Sequence, residues 1–152
     1  MSEKNINELP EGYVAQLELA DGYLPSEKDE YMCDEHVEYF RRRIEQWKEE
    51  LLKESNETIA NLKSEARDIS DEAERASRET ENTFELRTRD RYRKLLKKVN
   101  KALRRIESGD YGYCEETDEE IGLPRLIARP IATMCIDAQE RWAMKQHITT
   151  EG

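Results

Sequence analysis

The residues in this sequence best suited to chemistry are its soft donors, Cys33, Cys114 and Cys135. A structural zinc site takes four donors, commonly as two Cys-x-x-Cys pairs separated by a loop. Cys114 and Cys135 each stand where the first member of a pair would, but three residues further on the chain has Thr117 and Ala138. A threonine hydroxyl is a poor neutral donor to Zn²⁺, and alanine offers none. Two isolated cysteines are by default small buried hydrophobes. Their placement at the start of two would-be pairs makes a vacated zinc ribbon the better reading, and no zinc cofactor is expected. The odd count also argues against a disulfide framework and for reduced thiols.

Two charged features remain. Asp71 followed by Glu74 has the spacing of a capping box, in which one carboxylate accepts from a backbone N–H and the other reaches back. Further on, Arg87, Arg89, Arg91, Arg93, Lys94, Lys97, Lys98, Lys101, Arg104 and Arg105 crowd one stretch, with Asp90 the one acid among them. The plain interpretation is a solvated helix face paired with an acidic neighbour. The sharper one is a docking surface for an acidic partner or a phosphate-bearing ligand. His36 and His147 each stand alone and are expected at the surface. The sequence holds no Ser–His–Asp or Cys–His grouping, P-loop or dinucleotide fingerprint, so no catalytic residues are assigned and no enzyme activity is expected.

The elements that must position these groups follow from an absence. From Ser26 through Ser108 there is no Gly and no Pro, the two residues that most reliably interrupt helices. Apolar residues recur there at steps of three and four: Val37, Phe40, Ile44, Trp47 and Leu51, then Thr58, Leu62, Ala66 and Ile69. A second series runs Tyr92, Leu96, Val99, Leu103, Ile106. Both have the period of a coiled-coil seam. Between Arg75 and Arg91 only Ala76, Phe84 and Leu86 offer apolar bulk, which predicts a looser stretch.

A single helix would leave its apolar stripe uncovered, so an antiparallel hairpin is expected, turning within Asp68–Glu74, where polar side chains compete for backbone hydrogen bonds. Its acidic-to-mixed first arm and basic second arm are expected to attract one another. The fold class is thus mainly α, a long antiparallel coiled-coil hairpin on a small globular base. The predicted divisions are 1–32, an N-terminal segment packing partly on the base; 33–108, the hairpin with its tip near 68–75; and 109–152, a zinc-finger-like segment with a C-terminal helix. Residues 1–22 are expected to be mobile, while Tyr23, Leu24, Pro25, Tyr31 and Met32 cover the base. After Gly109, loops and short strands are expected, held by Tyr113, Ile121, Leu126, Ile127, Met134 and Ile136, then a helix from Ile136 to about Lys145.

Composition narrows the function classes. Charged residues make up 39 % and hydrophobic ones 36 % of the 152, a balance suited to elongated helical proteins. No apolar run approaches the roughly 20 residues that cross a bilayer, and MSEKNINELPEG has neither the basic start nor the apolar stretch of a signal peptide. The expectation is a soluble cytoplasmic protein without membrane partners. The formal net charge of −10 has the wrong sign for a general grip on DNA phosphates.

One string in the last third of the chain is specific. Asp110-x-Gly112-Tyr113-Cys114-x2-Thr117-x3-Ile121-x3-Arg125-Leu126-x-Ala128-Arg129-Pro130-x-Ala132-x2-Cys135-Ile136-Asp137 resembles the DksA/TraR zinc-finger signature with two cysteines substituted. The likeness extends from about Tyr23 to Trp142 and includes the hairpin tip and Glu85–Lys98. It implies a transcription factor whose hairpin enters the secondary channel of RNA polymerase and modulates initiation together with guanosine tetraphosphate (ppGpp), without contacting DNA as an operator-binding protein would. The resemblance further implies an acidic tip at Asp71, with Glu74 where the family has a second Asp and Ala76 matching a small neighbour. Arg91 matches a residue that docks the coil on the channel rim, where Thr88 replaces an amide. Leu95, Lys98 and Arg129 match positions that help bind ppGpp, whereas a further family lysine is Gln139 here. The rival readings are a structural coiled-coil interaction protein, which predicts self-association rather than an extended monomer, and a nucleic-acid-binding module built on the basic stretch.

Overall fold

The computed structural model describes residues 9–67 and 74–151. Its helices are α1 (Asp34–Arg67), α2 (Glu74–Ser108), α3 (Leu123–Ala128) and α4 (Ile136–Glu151). The Gly- and Pro-free stretch becomes α1 and α2, and at about 1.5 Å per residue each extends roughly 50 Å. Asp34 and Glu35 open α1 and Arg105 lies in the last turn of α2, charges that complement the helix dipole. Gly109 ends α2 at φ 82°, and the N–H of Asp110 returns to the carbonyl of Arg105 at 2.9 Å. A left-handed glycine is the common way to satisfy the last helical carbonyls.

α1 and α2 pack against each other as an antiparallel pair. The hydroxyl of Tyr92 donates to Glu54 Oε1 at 3.2 Å and lies 3.4 Å from Thr58 Oγ1, while Lys63 Nζ lies 4.0 Å from Glu85 Oε1. Position numbers rise on one helix as they fall on the other, as a hairpin requires. The seam buries Tyr39, Phe40, Ile44 and Leu51 from α1 against Tyr92, Val99, Ala102 and Ile106 from α2. Towards the distal end it thins as its sequence predicts: Phe84 and Leu86 are exposed. The expected attraction between arms is not how the basic stretch is arranged. The Lys63–Glu85 contact has its cation on the first arm, and Arg89, Arg93 and Lys94 reach Glu85 and Asp90 on their own helix. Spacings of three and four residues bring those partners together on one face of the same helix.

The base gathers where the hairpin's two ends meet the last third of the chain. Tyr111 packs on Phe40, which packs on Tyr39, with ring centroids 5.6 and 5.2 Å apart. Around them lie Cys114, Ile121, Leu123, Leu126, Ile131, Ala132 and Ala138. Tyr31 fastens two loops, donating to the Gly112 carbonyl at 2.6 Å and accepting from the Gly122 N–H at 3.0 Å. Gly112 has φ 93°, and a Cβ there would come within 2.6 Å of the Met32 side chain, so only glycine fits.

Several expectations are corrected. His36 is fully buried, not at the surface. It lies one helical turn before Phe40, so the seam continues backward through it. Residues 9–22 are not a loose tail: the Tyr13 hydroxyl donates to Glu38 Oε1 at 2.9 Å, Arg42 donates to the Leu17 carbonyl, and Leu19 packs on the core. Glu38 and Arg42, both buried, pair at 2.9 Å beneath this segment. Leu24 is exposed rather than buried over the base, and Ile136 is exposed rather than part of the packing set. No strand forms after Gly109 among the described residues; an isolated bridge joins Tyr113 to Glu120. The final helix runs to Glu151 rather than to about Lys145.

Candidate functional site

The four finger positions converge although they no longer match a zinc site. Cys114 begins a tight turn: its N–H donates to the Glu119 carbonyl at 2.7 Å, and its carbonyl accepts from the Asp118 N–H at 2.9 Å. Asp118 takes a left-handed φ of 59° to close that turn. Thr117 Oγ1 lies 4.0 Å from Cys135 Sγ, linking the two knuckles, and Ala138 is completely buried. Burial pushes the Cys114 thiol up. The Thr117 hydroxyl and backbone N–H groups of Cys135, Thr117 and Glu116 pull it down further, to about 7. The donors that would have steadied a metal-bound thiolate remain. The ligands do not: two thiols, a hydroxyl and a methyl group cannot complete a tetrahedral zinc shell. The residues present therefore do not fit the metal, and among the described residues no cluster of three or more His, Cys, Asp or Glu side chains offers another place for one.

The molecule contains a cavity of about 370 Å³ between α2, the turn at Glu115, α3, the loop before α4, and α4 itself. Its lining includes Lys98 and Lys101 from α2, Arg125 and Arg129, and Gln139 and Trp142 from α4. Arg125 Nε donates to the Met134 carbonyl at 2.9 Å, holding the loop, and Lys101 Nζ pairs with Glu115 at 2.7 Å. The exposed Lys98 and Arg129 keep their cationic ends available to a ligand. Such a cavity, with positive charge at one side, can hold a phosphorylated small molecule.

The fold thus brings Lys98 and Arg129 to one cavity, although they are distant in sequence. Leu95 is half-buried against the core and lies outside the cavity lining. Arg91 is exposed on α2, its guanidinium 5.2 Å from the centroid of Tyr92's ring, and Thr88 is half-buried one turn earlier. Glu74 and Ala76 lie in the first turn of α2; Asp71 lies outside the described residues. Lys101 belongs to the basic stretch singled out in the sequence, whereas Trp142 is a cavity residue that sequence reasoning did not select. Trp142 stands three residues after Gln139, a spacing that places both on one helical face, and this was the signal available.

Residues 36–106 match the family described as "DnaK suppressor protein DksA, N-terminal domain", and residues 109–141 match "Prokaryotic dksA/traR C4-type zinc finger". Over 126 residues the chain is 53 % identical to the RNA polymerase-binding transcription factor DksA of Caulobacter vibrioides (strain NA1000 / CB15N), covering 83 % of this chain and 89 % of that protein. It is 44 % identical over 111 residues to the protein of the same description from Escherichia coli (strain K12), covering 73 % and 74 %. The solved structure of transcription factor DksA2 from Pseudomonas aeruginosa superposes with a TM-score of 0.68 at 40 % identity, covering 77 % of this chain and 90 % of that one. Hairpin, base and the sequence of both parts agree in order and extent, and the chain belongs to the DksA family.

Proposed function

We propose that this protein is a transcription factor that binds RNA polymerase through its secondary channel and alters the lifetime of promoter complexes. The observation that carries this reading is the hairpin, two helices of roughly 50 Å joined near an acidic sequence and backed by a cationic stretch on α2. Relatives at 53 % and 44 % identity are named RNA polymerase-binding transcription factors. In this reading residues 33–108 supply reach, Arg91 docks the coil, and Asp71, Glu74 and Ala76 act at the polymerase active-site region. Residues 1–32 brace the base and 109–152 form it, without zinc. The protein acts as a monomer, makes no sequence-specific contact with DNA and catalyses no reaction. Lys98 and Arg129, with Leu95 behind them, hold ppGpp as co-regulator; the cavity that both cations line supports this part.

The test is made at the tip. Asp71→Asn combined with Glu74→Asn should leave folding and co-purification with core RNA polymerase nearly unchanged and abolish the effect on promoter-complex lifetime. Loss of binding together with a loss of stability near 0.5–2 kcal/mol per residue, the usual worth of a helix cap, would assign those carboxylates a capping role instead.

A further inference from the structure

The nucleotide reading leaves one wall of the cavity without a task. Gln139 and Trp142 both line it from α4. Trp142 is 48 % exposed, a flat π-surface in a cavity whose lining also presents the cations Lys98, Arg125 and Arg129. Lys101 is held by Glu115 at 2.7 Å. Gln139 carries no charge, so α4 adds no cation to the lining. It contributes an aromatic face and an amide with both donor and acceptor, the groups that recognise a nucleobase.

We propose that Trp142 is the base-stacking wall of this cavity, so that a purine nucleotide is held at two ends, its phosphates by Lys98 and Arg129 and its base by the indole beside Gln139. The inference rests on the nucleotide reading above and adds what selects the ligand. Cations alone treat a nucleotide and bare pyrophosphate alike, since both present the same oxygens. A stacking wall favours the ligand that has a base.

The experiment measures, with the full chain and RNA polymerase, the ppGpp concentration that half-maximally potentiates the effect on promoter-complex lifetime. It also measures the inorganic pyrophosphate concentration that competes. Loss of one stacked base should raise the first value by roughly 5- to 150-fold in Trp142→Ala. Trp142→Phe, which keeps a flat ring, should recover most of that loss. The pyrophosphate value and the nucleotide-free effect should stay within twofold of the unmodified protein in both variants. Melting curves establish that the variants fold. An unchanged ppGpp value in Trp142→Ala, or an equal weakening of pyrophosphate, overturns the stacking role. Lys98→Ala separates the two claims. If it abolishes potentiation while Trp142→Ala does not, the nucleotide reading stands and the stacking wall falls. If the unmodified protein shows no potentiation, or Lys98→Ala leaves it unchanged, the nucleotide reading fails and the inference fails with it.

Discussion

Cys114 lies in a nest built for a negatively charged sulfur, and this gives the protein a testable pH response. Burial alone would raise its thiol, but the Thr117 hydroxyl and backbone N–H groups outweigh burial and bring it to about 7. An unfolded thiol titrates near 8.5. The folded value is the lower one, so the native state releases this proton more readily. Its contribution to stability is therefore complete above about pH 8.5 and is lost as pH falls through 7. Melting temperatures of the unmodified protein should rise between pH 7 and 8.5 relative to those of Cys114→Ala. Parallel curves for the two proteins would count against the nest. The same residue explains why the substituted finger still folds locally: its hydrogen bonds are made by backbone, and Thr117 keeps a polar link to Cys135.

Among the elements, the segment after α2 keeps two of the four finger ligands, and in the zinc-free reading it has to hold its shape by other means. Apolar packing does this, with Tyr111, Ile121, Leu123, Leu126 and Ala138 buried together. The Tyr111 hydroxyl adds a hydrogen bond of 2.6 Å to the Pro130 carbonyl. Tyr31 ties the loops from the opposite side. Where a structural zinc site exists, metal binding and folding are one process and a chelator unfolds the domain. Here EDTA should leave the melting temperature unchanged within about 1 °C, less than the roughly 2–4 °C that 1 kcal/mol moves a chain of this size. Elemental analysis should find zinc well below one equivalent. Stoichiometric zinc, or a melting point that collapses on chelation, would refute a metal-free base.

At the scale of the whole molecule, the hairpin makes the protein long for its mass. A compact chain of this length has a radius of gyration of about 15 Å. Helices of roughly 50 Å projecting from a base require a larger value. Small-angle scattering should therefore return a radius clearly above 15 Å at the mass of one chain, independent of concentration. A mass that doubles with concentration would favour the structural interaction protein over the polymerase-binding reading. Phe84 and Leu86, on the loose part of the seam, are among the exposed large apolar side chains open to such an association. The net charge of −10 opposes close approach of copies at low salt.

The sequence by itself determined the helices and the loss of two of the four finger ligands. A stretch without Gly or Pro, patterned at three and four residues, can satisfy its backbone and bury its stripe only as packed helices, and Thr117 and Ala138 lack zinc donors whatever surrounds them. These are local properties, set by residue type and spacing. Tertiary structure decided what depends on partners distant in the chain. His36 continues the i, i+4 spacing of Phe40 and Ile44, but looked like a solitary surface histidine because nothing local shows that the base covers that end of the seam. Residues 9–22 looked loose because their anchors, Glu38 and Arg42, lie about 25 residues away. The cavity needed α2, the loop before α4 and α4 brought together before Lys98 and Arg129 shared a ligand-sized space, and before Trp142 had anything to face. Periodicity reports which side of an element is buried; which buried sides meet is decided by packing across the whole chain.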